Sequence, residues 1–396
     1  MRRALLLLLA ACSTGTPAGP DPTAPAASEP AVPAERREPP QAACPPASAA
    51  PHPGDLVARA AAERRAGRAA EALACAEQAL ELDARSLPAL RERAWCLAEL
   101  QRPGDARAAL TRALAASPDD LSTLEAAAEI LVTRLAERDD LEAGRDHALR
   151  GADRALRGRR PDLARAGRLH LLAGMAENDL GRARDALAHL DRALQERPGD
   201  VDALYERGVA LYELCRFGAA RRAFEAVLRR NPDDAWAIHH LGLLAERSGD
   251  EGRASRLLSR AARLAPRDLR VPLDVERTAF EAEVRRAVSE LPGEERRALG
   301  TVPVEVEEIP RLADLTAVDP PLSPSILGLF RGPPLGERCL PSDGAPCRSI
   351  VLYRRNLVRF ARDRAELAEE VRVTLRHEIG HLVGQSDERL RARGLD

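Results

Sequence analysis

The sequence predicts a mainly α-helical chain: a solenoid of paired helices over residues 55–270, followed by a small α+β domain over 273–396. Three observations predict it. Hydrophobic residues make up 45% of the 396 residues but aromatics only 3%, so the core must be built from Ala and Leu, which favours close-packed helices. Small residues and prolines recur every 34 residues through the middle of the chain, a period that marks stacked supersecondary units. After about Leu269 that period stops and short alternating, strand-like stretches appear.

The chain is too long for one ordinary domain. Its net charge is -2, from 60 basic and 62 acidic residues. The basic residues are all Arg and are interleaved with acids, so no basic stripe forms and nucleic acid is not expected as a partner.

The chain opens MRRALLLLLAACS. Two Arg precede an apolar run and small residues precede Cys12, the layout of a secretory signal. Leu9-Ala10-Ala11-Cys12 resembles the bacterial lipobox. That resemblance implies a lipid on Cys12, cleavage just before it, and membrane attachment by two or three acyl chains. Ser13 resembles the outer-membrane choice of Gram-negative bacteria. The expectation is a lipid-anchored envelope protein, on the periplasmic face of the outer membrane or extracellular. Residues 1–12 are then the signal and anchor. Residues 13–54, rich in Pro, Ala and Glu, have too few large apolar groups to fold and read as a semi-extended tether.

In the middle, Pro198, Pro232 and Pro266 share the period, as do Gly174, Gly208 and Gly242, and Ala186, Ala220 and Ala254. With Pro at position 32, repeats begin at Gly167, Val201 and Ala235. A small residue then falls at position 8, Ala at 20, and Leu190, Phe224 or Leu258 at 24. Two further repeats occupy 53–86 and 87–120. Residues 121–166 read as another helical pair with a stretched first helix or loop, giving about six in all. The array resembles the tetratricopeptide family. Small residues at 8 and 20 let paired helices approach, the bulkier residue at 24 fills the gap, and each pair is covered by the next. The expected product is a right-handed superhelix whose groove holds a protein or peptide; a spacer without ligand is the alternative.

Beyond the array, FEAEVRRAVSELPGEERRAL gives a helix, a Pro-Gly break and a second short helix. VPVEVEEIP alternates like a strand, a Pro-rich loop follows, and Ile350–Tyr353 reads as another strand. A helix from about Arg364 carries LRHEIGHLVGQSDE. At about 100° per residue, Leu367, Val371, Leu375 and Ile379 form its buried stripe, while His377 and His381 lie about 40° apart on the other side with Glu378 flanking them. Two imidazoles one turn apart can share a metal. The carboxylate between them is placed to hold water and take its proton. The third ligand must come from beyond the helix: Gly384 permits a sharp turn, after which Asp387 can swing back, with Glu388 as its nearest rival.

His377-Glu378-x-x-His381-x-x-Gly384-x-x-Asp387 resembles the extended zincin pattern. With the flanking segments it is similar to the minimal zincin-type metallopeptidases over nearly all of 278–394. The resemblance implies one Zn2+ held by His377, His381 and Asp387, with Glu378 as general base. Tyr353 ends the strand before this helix, and in zincins such a strand lines the substrate cleft. Its phenol is therefore a candidate oxyanion stabiliser, or else a core tyrosine. Of the 7 cysteines, Cys339 and Cys347 bracket a turn-rich loop and are expected to pair, with free thiols as the alternative. Cys75 and Cys96 lie on neighbouring repeats and could meet, or serve as small buried residues. The function expected is a membrane-anchored zinc metallopeptidase whose array recruits a partner or substrate. The rival is a non-catalytic repeat scaffold with an inactive zincin-like domain.

Overall fold

A computed structural model of the chain describes residues 43–44, 52–157, 159–339 and 346–395. The segment expected to carry the lipid at Cys12, and most of the expected tether, lie outside the described residues.

Six helical pairs come first. They are α1 (Pro53–Arg65) with α2 (Ala69–Leu82), α3 (Leu87–Glu99) with α4 (Pro103–Ala116), and α5 (Leu121–Ile130) with α6 (Arg138–Leu156). Then follow α7 (Leu163–Asp179) with α8 (Ala183–Glu196), α9 (Val201–Glu213) with α10 (Phe217–Leu228), and α11 (Ala235–Arg247) with α12 (Glu251–Leu264). The starts follow from the sequence. Two residues after Pro118, Pro198 and Pro232 an Asp caps the next helix. Asp120 accepts from Thr123 N at 2.8 Å, Asp200 from Ala203 N at 2.9 Å and Asp234 from Ala237 N at 3.0 Å. Each cap contributes about 1 kcal/mol. The turn within a pair carries one left-handed residue, Gly67, Gln101, Gly181, Cys215 or Gly249, always at the fifteenth position of its repeat.

The small residue at position 8 acts as expected. A Cβ on Gly208 would meet the Phe224 ring at 2.6 Å, and one on Gly242 would meet Leu258 at 2.9 Å. The bulky residue at position 24 therefore occupies the space that glycine leaves.

The third pair differs from expectation. The segment from Glu137 onward is not a stretched first helix or loop but the 19-residue second helix α6. A π-helical turn, Leu131–Leu135, ends α5, and Ala136 adopts a left-handed φ of 58°. Asp140 fixes the restart: it accepts from Glu137 N at 3.3 Å and, buried, from Arg107 through two contacts of 2.7 Å.

Of the two cysteines weighed as a pair, Cys75 departs from expectation and Cys96 takes the alternative role of a small buried residue. Cys75 is bonded to Cys44, not to Cys96. Cys96 is a buried free thiol, and its burial raises its pKa. Cys44 packs with Leu56, Ala60, Ala76, Ala79 and Ala89, covering the first pair. Cys339 and Cys347 are paired, as expected.

The remaining elements are α13 (Arg277–Ser289), α14 (Gly293–Leu299), β1 (Val304–Glu307), α15 (Leu312–Leu315), β2 (Gly328–Arg331), β3 (Ser349–Tyr353), α16 (Arg354–Phe360), α17 (Arg364–Leu382) and α18 (Asp387–Ala392). The sheet order is β1-β3-β2. Strand β1 runs parallel to β3, with Glu307 opposite Tyr353; β2 is antiparallel to it, with Phe330 opposite Ile350. All five residues of β3 are buried, as suits an apolar central strand. Strand β2 lies inside the stretch expected to be loop. Four residues between Pro-rich flanks show no alternation, and their pairing is set by β3. The core joins Phe280 and Val284 of α13, Ile350 and Leu352 of β3, and Leu367, Val371, Leu375 and Ile379 of α17.

The chain divides into two compact units, and the division does not fall between the array and the C-terminal domain. Among the described residues, one unit holds those up to Gly181 together with Arg192–Pro198, while Arg182–Asp191 and those from Gly199 onward belong to the other. The last two helical pairs and the α+β elements therefore form one body.

Candidate metal centre

Helix α17 places three of the four expected groups. Asp363 caps it, accepting from Ala365 N and Glu366 N at 2.9 Å each. The predicted stripe faces the core, which leaves His377 and His381 half-exposed. The helix stops at Val383. Gly384 takes a left-handed φ of 79°, a conformation costly for any residue with a Cβ. Gln385 N then bonds back to Gly380 O at 2.9 Å. This reversal brings Asp387, the first residue of α18, over the two imidazoles.

Asp387 Oδ1 lies 3.2 Å from His381 Nε2 and 3.6 Å from His377 Nε2. The two Nε2 atoms are 2.9 Å apart. Among the described residues this is the cluster of His, Cys, Asp or Glu suited to a metal, its ligand atoms all within 4.8 Å of one another. Glu388, the rival third ligand, is not part of it.

The donor set suits a divalent ion. His377 Nδ1–H donates to Leu395 O at 2.5 Å, and His381 Nδ1–H donates to Gln385 O at 3.0 Å. A ring that carries its proton on Nδ1 presents a lone pair on Nε2. Both lone pairs then face each other and a carboxylate, the donor set a divalent cation would take. Backbone carbonyls orienting metal-binding imidazoles in this way are a usual support. Sequence reading missed both carbonyls. No side-chain pattern signals them, because the bonds come from main chain brought near by folding.

The surrounding frame is ionic. Glu295 of α14 binds Arg376 at 2.9 Å and Arg393 at 3.3 Å. Arg393 also donates to Gln385 Oε1 at 2.7 Å, so the segment that orients His381 is itself held. Leu335 N donates to Leu382 O at 2.7 Å, fixing the GPPLGER loop to the end of α17.

Glu378 is 6% exposed. Burial pushes its pKa up to about 8, the Phe330 N–H opposes this, and the charge of Asp387 adds to it. The approach of β2 depends on Gly328: a Cβ there would meet Thr374 at 2.6 Å and Glu378 at 3.0 Å. Leu327 O accepts from Tyr353 N at 2.9 Å, so residues 327, 329 and 331 bond toward β3. By the antiparallel alternation, Gly328 and Phe330 point their polar backbone groups outward.

Tyr353 does not face a cleft. It is fully buried, and its hydroxyl has no hydrogen-bond partner among the described residues. Burial raises its pKa; the Arg331 charge opposes this, and the charges of Asp314, Glu307 and, least, Glu378 add to it. An oxyanion stabiliser must reach substrate; this phenol packs as a core residue.

Comparison with known proteins agrees with this architecture. Residues 299–395 match the family described as zincin-like metallopeptidase. Residues 57–120, 178–235 and 213–268 match tetratricopeptide repeat families. A TPR repeat-containing protein of Pseudomonas aeruginosa is 31% identical over 130 residues, 32% of this chain, and the chain spans only 22% of that protein's length. Among solved structures, Pseudomonas aeruginosa PilF is 17% identical with a TM-score of 0.46, covering 54% of this chain and 92% of PilF. PilW, a type IV pilus biogenesis factor, is 20% identical with a TM-score of 0.47, covering 54% of this chain and 94% of PilW. The chain therefore carries tetratricopeptide repeats and a C-terminal zincin-like metallopeptidase domain.

Proposed function

We propose that the chain is a zinc-dependent peptidase whose repeats recruit a protein partner or substrate. One observation carries the reading: two Nε2 lone pairs and the Asp387 carboxylate converge, with the buried carboxyl of Glu378 next to them on α17 and no cation paired to it among the described residues. His377, His381 and Asp387 would hold a zinc ion, which would supply Lewis acidity toward a carbonyl oxygen and lower the pKa of water there. Leu395 O and Gln385 O keep both imidazoles in the required tautomer. Glu378 takes a proton from water as general base and returns it to the leaving nitrogen as general acid. The outward backbone groups of Gly328 and the outward carbonyl of Phe330 offer an extended peptide a strand edge beside Glu378.

We also place the protein outside the cytosol, attached through a lipid on Cys12. The two disulfides support an oxidising compartment, and the lipobox-like segment supports the anchor. Mass spectrometry of membrane-extracted protein should find Cys12 acylated; an unmodified Met1 would remove the anchor from this reading.

The Phe330 N–H that engages the Glu378 carboxyl is the one feature that favours the scaffold alternative. The deciding experiment measures bound zinc and cleavage of a peptide pool for the wild type and for Glu378→Gln. The peptidase reading expects about one zinc in both proteins and cleavage in the wild type alone. Stoichiometric zinc with no cleavage by the wild type would establish the scaffold.

A further inference from the structure

Within the second compact unit, the last two helical pairs grip the elements that frame the metal centre. Glu246 on α11 has a side chain only 8% exposed. It accepts from Arg355 Nη1 at 3.3 Å and from Arg359 Nη2. Arg359 turns its other nitrogen to Asn356 Oδ1 at 3.0 Å. Asn356 is buried, and its Nδ2 donates to Pro324 O at 3.0 Å and Ile326 O at 2.7 Å. Those carbonyls lie on the segment that enters β2, two residues before Gly328 rests on Glu378. The residues just before this segment also touch the repeats: Cys215 Sγ lies 3.8 Å from Leu322 O, and Glu213 bonds to Ser323. Farther upstream, between β1 and α15, Pro310 O accepts from Arg247 at 2.9 Å.

We propose that Glu246 is a positioning residue of the peptidase: through Arg359 and Asn356 it fixes the path of β2 and so the edge that meets Glu378. The physical case is geometric. A buried ion pair contributes little net stability against an apolar replacement, but it demands one arrangement. The planar guanidinium of Arg359 is suited to this, since its fork binds two acceptors at a fixed angle. Asn356 spends both amide hydrogens on backbone carbonyls that have no regular-strand partner of their own. The last helical pairs are thereby part of the catalytic domain's working structure and not only a recruiting arm. The consequence for catalysis rests on the peptidase reading; the coupling of α11 to β2 does not.

The test uses the full chain loaded with zinc, in three forms: wild type, Glu246→Gln, and Arg359→Lys. The lysine keeps a charge for Glu246 but loses the second arm to Asn356. Hydrogen exchange is followed by mass spectrometry over 325–331 and, as reference, over α13. Both variants should exchange about tenfold faster over 325–331 with α13 unchanged, zinc stoichiometry intact, and KM raised more than kcat is lowered. Unchanged exchange over 325–331 would overturn the proposal. So would an equal rise throughout the domain, which marks general loosening. If Glu246→Gln fails to fold, Arg359→Lys alone decides. Selective exchange in a wild type that cleaves nothing would remove the peptidase and leave the coupling; cleavage without selective exchange would do the reverse.

Discussion

Two helices of the same compact unit each bury a glutamate, and their surroundings are opposite. Glu246 of α11 sits between two guanidinium groups. Glu378 of α17 meets a backbone N–H and the charge of Asp387, with no cation beside it, and burial raises its pKa to about 8. The first carboxylate is neutralised and fixes a geometry. The second has no such pairing among the described residues, and under the proposed function it must gain and lose a proton. Burial alone therefore does not distinguish the two carboxyls; their partners do.

The contrast can be broken most severely at Glu378. Replacing it with Gln should lower peptide cleavage by about 10²–10⁴-fold while bound zinc, read by atomic absorption, stays stoichiometric. Equal cleavage by both proteins would put the base elsewhere. Next is Glu246→Ala, which leaves Arg359 and Arg355 facing a buried gap. Arg355 keeps Glu251 and Glu308, so urea unfolding should show a loss of about 3 kcal/mol, at the low end for a broken buried pair. A loss near zero would mean the pair is as replaceable as one on the surface.

A smaller effect belongs to the carbonyl that holds His377. A chain ended at Gly394 lacks Leu395 O, and its zinc affinity should fall by about 10–100-fold. Leu395→Ala, which retains the carbonyl, should bind zinc more nearly as the wild type does; equal losses would assign the effect to side-chain packing. Least in size is a pH effect at Glu213, whose pKa burial raises. A carboxyl with a raised folded-state pKa contributes stability that is full below its unfolded value and is lost as pH rises through the folded one. Glu213→Gln should flatten that part of the stability–pH curve on the alkaline side of pH 4.5, and chemical denaturation at several pH values reads it.

What could be read from sequence follows the range of the physics involved. The start of α9 at Val201 and of α11 at Ala235 was legible because capping, turn and packing rules act within one 34-residue period. Helix α17 was legible because its stripe and its His377–His381 spacing are local. Strand β2 was not, since four residues of unmarked sequence become a strand only by pairing with β3. The Leu395 and Gln385 carbonyls were hidden for the same reason. Cys44 could not be matched to Cys75 because the partner is chosen by how the chain enters α1, which no spacing rule records. The two roles weighed for Tyr353 could not be told apart, because alternation along β3 says which residues share a face without saying how far that face is buried; the structure makes it a core tyrosine.

The Cys44–Cys75 bond has a mechanical consequence. It closes a loop spanning 31 residues that contains the whole of α1. Any pull on the chain upstream of Cys44 is carried across sulfur into the middle of α2 and bypasses the first helix. Helix α1 is thus shielded from load while the bond is intact. Under a reductant, the same pull would peel α1 away first and expose the apolar end of the stack.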